Sequence, residues 1–144
     1  MDFGDLAPAV VDPKALVRSV VGAAGWQLQD TGDAWQVVVP VGALRKQTVV
    51  VEFGRKDDEG HDLISLTSTC GPASEKNSMA LLRYNTKMVH GAFAVQACPS
   101  GEMIVVQANQ LADTADPLAI TRVITAVAWQ ADKAEEKLGG GDRF

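Results

Sequence analysis

Histidine and cysteine are scarce in this chain, and the scarcity removes whole classes of chemistry. His61 and His90 are its two histidines, and Cys70 and Cys98 its two cysteines. Together they make four zinc-type ligands. No pair among them has the short C-x2-4-C or H-x3-5-H spacing of structural zinc sites, so no metal is expected. Without a secretory context the two cysteines are expected as reduced thiols. A secretory signal is missing at the N-terminus, MDFGDLAPAVVDPK, which has neither a basic n-region nor an apolar h-region. No apolar run approaches the roughly 20 residues that cross a bilayer. The longest, Ala119 to Trp129, is broken by Thr121, Arg122 and Thr125. A cytoplasmic protein with no membrane partner is the expectation.

Catalytic and cofactor motifs are lacking too. There is no G-x-x-x-x-G-K-[ST] loop, no G-x-S-x-G elbow and no H-E-x-x-H. The acidic stretch DDEGHD suggests calcium. An EF-hand loop starting at Asp57 would need glycine where Asp62 stands and glutamate where Ser68 stands, so that reading fails. His61 then belongs to a solvated hairpin turn. Basic residues are outnumbered, 13 to 18, for a net charge of −5. That balance argues against nucleic acid, whose phosphates require clustered Lys and Arg. No cofactor and no enzymatic activity are expected.

The chain does supply ordinary material for a soluble fold. Its 144 residues are 47% apolar and 22% charged, enough for one domain over 1–144, with 1–11 and 140–144 expected as flexible tails. Three helices are marked by their caps. Asp12-Pro13 starts the first and Gly25 stops it, around an apolar stripe of Leu16, Val17, Val20, Val21 and Ala24. Ser74 or Ser78 caps the second, which runs toward Met88. The third runs from Asp116-Pro117 to Gly139 and is expected to bury Leu118, Ile124, Val127, Ala128, Ala131 and Leu138.

Strand patterning fills the remainder: Trp26 to Asp30, Ala34 to Val41, Thr48 to Phe53 and Leu63 to Thr69, then Ala92 to Ala97 and Glu102 to Ala108. Short turns between neighbours require antiparallel pairing. The predicted class is therefore α+β, an antiparallel sheet with three helices in the order α-β-β-β(-β)-α-β-β-α. In the last hairpin both faces read as apolar, Phe93 and Val95 against Ala92 and Ala94, Met103 and Val105 against Ile104 and Val106. Three helices would leave part of such a sheet bare, and a second copy of the chain is the simplest cover.

Several polar and aromatic residues need individual readings. Asn85 is placed where its amide can hydrogen-bond an adjoining loop, His90 where it can meet the last helical carbonyls, and Gly91 where positive φ can start a strand. Those three read as a structural corner. Trp26, Trp35 and Trp129 read as core if buried and as a binding surface if exposed.

The order of elements, with particular residues, resembles the YbjN-like proteins, which share the fold of type III secretion chaperones. The matching residues are Gly25-Trp26, Trp35 to Val39, Arg45 and Gln47 before Val49 and Val51, and Leu81-Leu82-x-x-Asn85. Gly91-Ala92-Phe93-Ala94 and Ala131-Asp132-x-x-Glu135 ahead of Leu138 complete the set. The resemblance implies a small acidic homodimer that binds another protein and transforms no substrate. Secretion chaperones of this fold hold a partly unfolded segment, and YbjN-like proteins are described as regulators of sensory transduction. Partner-binding candidates are Trp35, Val37, Arg45, Gln47, Arg83 and Asn85. Met88, Phe93, Val95 and Ile104 are the dimer candidates. A second reading is a small-ligand sensor with a pocket near Trp35, Arg45 and Asn85, and a third is an unrecognised enzyme.

Overall fold

In a computed structural model, described over residues 12–139, the chain folds as six antiparallel strands and three α-helices. The stretches expected as tails, 1–11 and 140–144, lie outside the described residues. Helix α1 spans Pro13–Ala24 and is followed by β1 (Gln27–Asp30), β2 (Ala34–Pro40), β3 (Lys46–Lys56) and β4 (Asp62–Pro72). Helix α2 (Glu75–Tyr84), strands β5 (Ala92–Cys98) and β6 (Gly101–Leu111) and helix α3 (Pro117–Gly139) complete it. The sheet order is β1-β2-β3-β4-β6-β5, antiparallel throughout: four of the pairs are hairpins, which require it, and β4 meets β6 across the excursion through α2 and β5.

The helix ends are set by local chemistry. Asp12 accepts a hydrogen bond from the Lys14 N–H and Gly25 closes α1 at φ +74°. Ser74 caps α2 in a reciprocal box with Asn77, which stands where Glu or Gln is usual. The Asp116 carboxylate accepts from the Ala119 N–H at 2.7 Å and starts α3. Helix α2 ends earlier than its apolar spacing predicts. It tightens into a 3₁₀ turn at Asn85–Lys87, and His90 lies exposed beyond it.

All three helices lie on one face of the sheet. Helix α3 crosses β3, β4 and β6, α1 packs beside it, and α2 lies along β5. Trp35, Val37, Val49, Val51, Ile64, Leu66, Ile104 and Val106 meet Ile120, Ile124, Val127, Ala128 and Ala131 in the core beneath. Leu118, expected in that core, is 58% exposed, because the first turn of α3 turns it outward. Among the described residues the opposite face has no helix. The register puts Gln29, Gln36, Val50, Thr67, Gln107 and Ala92 in one row across it, mostly amides and hydroxyls, with Glu52 on the same face two residues along β3. The apolar character of both sides of the last hairpin therefore has two origins. Phe93, Ile104 and Val106 are core, while Ala92 and Ala94 are small residues on the open side.

Candidate functional site

Two of the partner-binding candidates have no surface to offer. Trp35 and Val37 are fully buried. Trp35 donates its indole N–H to the Gly32 carbonyl at 3.0 Å, stacks edge-on against Phe53 with 4.8 Å between centroids, and carries the Arg18 guanidinium over its ring at 4.7 Å. Both belong to the core, because the even-spaced face of β2 that they share is the one the helices cover. Gln47 is buried as well, and both N–H groups of its amide are used. Its amide donates to Ser68 Oγ and to the Thr69 carbonyl, each at 3.0 Å, while Ser68 Oγ donates to the Thr48 carbonyl at 2.7 Å. This polar bridge ties β3 to β4 beneath the helical layer, and an unpaired amide there would be costly.

Arg45 is a clamp. It leaves the β2–β3 loop to pair with Asp132 of α3, its Nε donating to Oδ1 at 3.2 Å and its Nη2 to Oδ2, with Glu136 3.6 Å away. Asp132 is buried, so the fork-shaped guanidinium supplies the partner that a desolvated carboxylate needs. The hydrogen bond to Asp132, more than the charge of either acid, holds the Arg45 pKa above its ordinary value. Arg83 is exposed on α2.

Asn85 performs the structural part expected of it. Its Oδ1 accepts the Phe93 N–H at 2.7 Å and its Nδ2 donates to the Phe93 carbonyl at 3.1 Å. The amide thus stands in for one residue of a neighbouring strand at the outer edge of β5. In an antiparallel strand alternate residues point their backbone groups the same way. Phe93, Val95 and Ala97 therefore turn theirs outward, while Ala92, Ala94, Gln96 and Cys98 face β6. Gly91, at φ +77°, makes the preceding bend.

Trp35, Arg45 and Asn85 do not converge on a pocket. Strand β2 and strand β5, which Asn85 caps, are four strand spacings apart, about 19 Å. Among the dimer candidates, Phe93 and Ile104 are 6% and 1% exposed and are core residues. Phe93 meets Tyr84 with 6.1 Å between ring centroids, under α2. Met88 is half-buried and Val95 is 46% exposed. The same region shows what sequence reasoning missed. Met79 and Leu82, three apart on α2, are more than half exposed on its outer side, and Val89 beyond it is almost fully so. The doublet Leu81-Leu82 carried the signal: neighbours on a helix point about 100° apart, so one of two consecutive leucines must leave a narrow buried stripe.

Other expectations resolve simply. The carboxylate of Asp57 accepts the N–H groups of Glu59 and His61 at 2.9 and 2.8 Å, and the His61 N–H chiefly holds its pKa below the usual range. The acidic loop is therefore organised by its own backbone. Cys70 is buried and its thiol is pushed up to about 12 by desolvation. Among the described residues, no helix is long and apolar enough to cross a membrane.

This arrangement has a counterpart among solved proteins. The chain is similar to the type III secretion chaperone SycH of Yersinia pestis, solved in complex with a stable fragment of YscM2. The TM-score is 0.55 at 13% identity, covering 85% of this chain and 97% of that one. The fold is type III secretion chaperone-like. At that identity the likeness reaches the fold alone, and it does not single out the YbjN-like proteins. No protein-family model and no curated protein sequence matches the chain.

Proposed function

We propose that this chain is a non-enzymatic, chaperone-like protein-binding module that works in the cytoplasm as a homodimer and holds a segment of a partner protein. The observation that carries the reading is the outer side of α2 and β5. Strand β5, AFAVQAC, is a seven-residue edge strand with no charge and no proline. Monomeric proteins protect such edges with charges, proline or bulges. Among the described residues the edge is protected at Phe93 alone, by Asn85, and Met79, Leu82 and Val95 stand exposed around it. One such strip applied to itself across a twofold axis makes an isologous contact. A stable pair requires burial of at least about 1,000 Å² in total. The fold likeness to a chaperone solved with a bound protein fragment supports the partner-holding role. The residue matches to YbjN-like proteins support kinship with that regulatory branch.

Light scattering at tens of micromolar tests the reading. The expected mass is twice the 15.3 kDa of one chain. Leu82→Glu and Val95→Glu should give folded monomers, while Phe93→Glu should unfold the protein, because that side chain is core. A wild-type protein that stays at 15.3 kDa overturns the homodimer and the module built on it.

A further inference from the structure

Between α2 and α3 runs a cleft that the dimer surface leaves open. Its narrow end, about 140 Å³, is lined by Leu81, Tyr84, Phe93 and Ala134, with Lys133 and Lys137 on the rim. A second, shallower depression of about 340 Å³ lies farther along α3 and is lined by Ala126, Trp129, Arg122 and His90. Ala126, Gln130 and Ala134 follow one another at helical i+4 spacing, which joins the two parts along one side of α3. Trp129, 44% exposed, stands in the wall. The charges decide what this cleft suits. The chain carries 18 acidic residues, yet among the described residues the lining holds Arg122, Lys133, Lys137 and His90 and no acid.

Resting on the module reading above, we propose that the partner segment held here is an acidic amphipathic helix. Its apolar side would fill the floor over Phe93, Ala134 and Ala126 and pack against Trp129, while its carboxylates meet Lys133, Lys137 and Arg122. A helix fits better than an extended strand, because the lining is made of side chains, from α2, α3 and Phe93 at one end and from α3 and His90 at the other. A strand laid between them would find no backbone edge for its N–H and C=O groups, whereas a helix satisfies its own. From Arg122 to Lys137 the cleft follows α3 for about 22 Å, the length of about four helical turns.

The test uses two synthetic peptides of about 15 residues. Both carry leucine along one helical face, and the other face is glutamate in one and lysine in the other. Titration calorimetry should show the glutamate peptide binding the wild type about tenfold more tightly at low salt, two exposed charge pairs each contributing a factor of a few. The preference should reverse in Lys133→Glu/Lys137→Glu, whose positions are exposed and leave the fold intact, as circular dichroism will verify. Binding should also shift tryptophan emission to the blue in the wild type and not in Trp129→Phe. Equal binding of the two peptides, a preference that survives the charge reversal, or displacement of bound peptide by oleate would each overturn the proposal. A dimer that binds neither peptide ends the cleft and leaves the module standing, whereas a monomer that binds neither ends both.

Discussion

Replacing Gly91 by alanine adds one methyl group at the place where the chain leaves α2 and enters β5. Two costs follow from the structure. Gly91 sits at φ +77°, where an L-residue is disfavoured by about 1–2 kcal/mol. The new Cβ would also lie 2.8 Å from the Gln107 carbonyl oxygen and 3.3 Å from Ala108 Cβ. Neither neighbour is the free end of a flexible side chain, so the backbone of β5 or β6 must shift, loosening a ladder already at the edge of the sheet. We expect a total loss of about 2–4 kcal/mol, the first part conformational and the second steric. Gly25 is the control. It has nearly the same φ, +74°, but open space where its Cβ would be, so Gly25→Ala should show the conformational part alone. Urea unfolding of wild type and both variants, followed by circular dichroism, measures each cost from midpoint and slope. In a domain of this size the Gly91 variant should also melt about 5–15 °C lower. Equal losses at the two glycines would refute the steric argument and with it the tight corner.

Asn85→Leu removes both partners of the Phe93 backbone and should cost about 1–3 kcal/mol in the same urea assay; a neutral effect would mean water replaces the amide fully. Thiol labelling at pH 8 should modify half-buried Cys98 quickly and Cys70 only on unfolding, and equal rates would contradict the burial of Cys70. Since the Cys70 pKa is raised in the folded state, its contribution to stability is complete below about pH 9 and is lost as pH climbs from 9.0 toward about 12. Cys70→Ser should flatten that part of the pH profile. Arg45→Ala should lower the urea midpoint by stranding the carboxylate of Asp132, and 1 M salt should shrink the difference; an unchanged midpoint would show that the β2–β3 loop is not held through this pair.

Much of the fold could be read from punctuation. Asp12-Pro13 and Gly25, Ser74, and Asp116-Pro117 mark helix ends because the signals that set them lie within a few residues. Which face of a strand would be covered is a long-range matter. Trp35 and Val37 share a face by alternation, but alternation does not say that all three helices gather on it and make that face core. The same gap misplaced Phe93 and Ile104. Apolar spacing makes α2 too long because it continues past Tyr84, while the Asn85 amide is taken by a strand eight residues away. Asn85 is a local polar residue with a non-local partner, and its structural role was legible where the exposed positions of Met79, Leu82 and Trp129 were not.

The layer that α3 forms over β3, β4 and β6 also bears on how the protein is made. Arg45 and Asp132, which pair across it, are 87 residues apart in sequence. As the chain leaves the ribosome, four strands emerge long before the helix that covers most of them, and the apolar faces of Val49, Val51, Ile64 and Leu66 have only α1 on their side in the interval. Hairpins of β2, β3 and β4 can pair transiently, but an uncovered sheet of this kind is sticky and only marginally stable. The core closes only when α3 docks, so the loop-closure entropy of its contacts with β3 and β4 falls late. Chains that end before α3 should therefore aggregate more readily than the full-length protein.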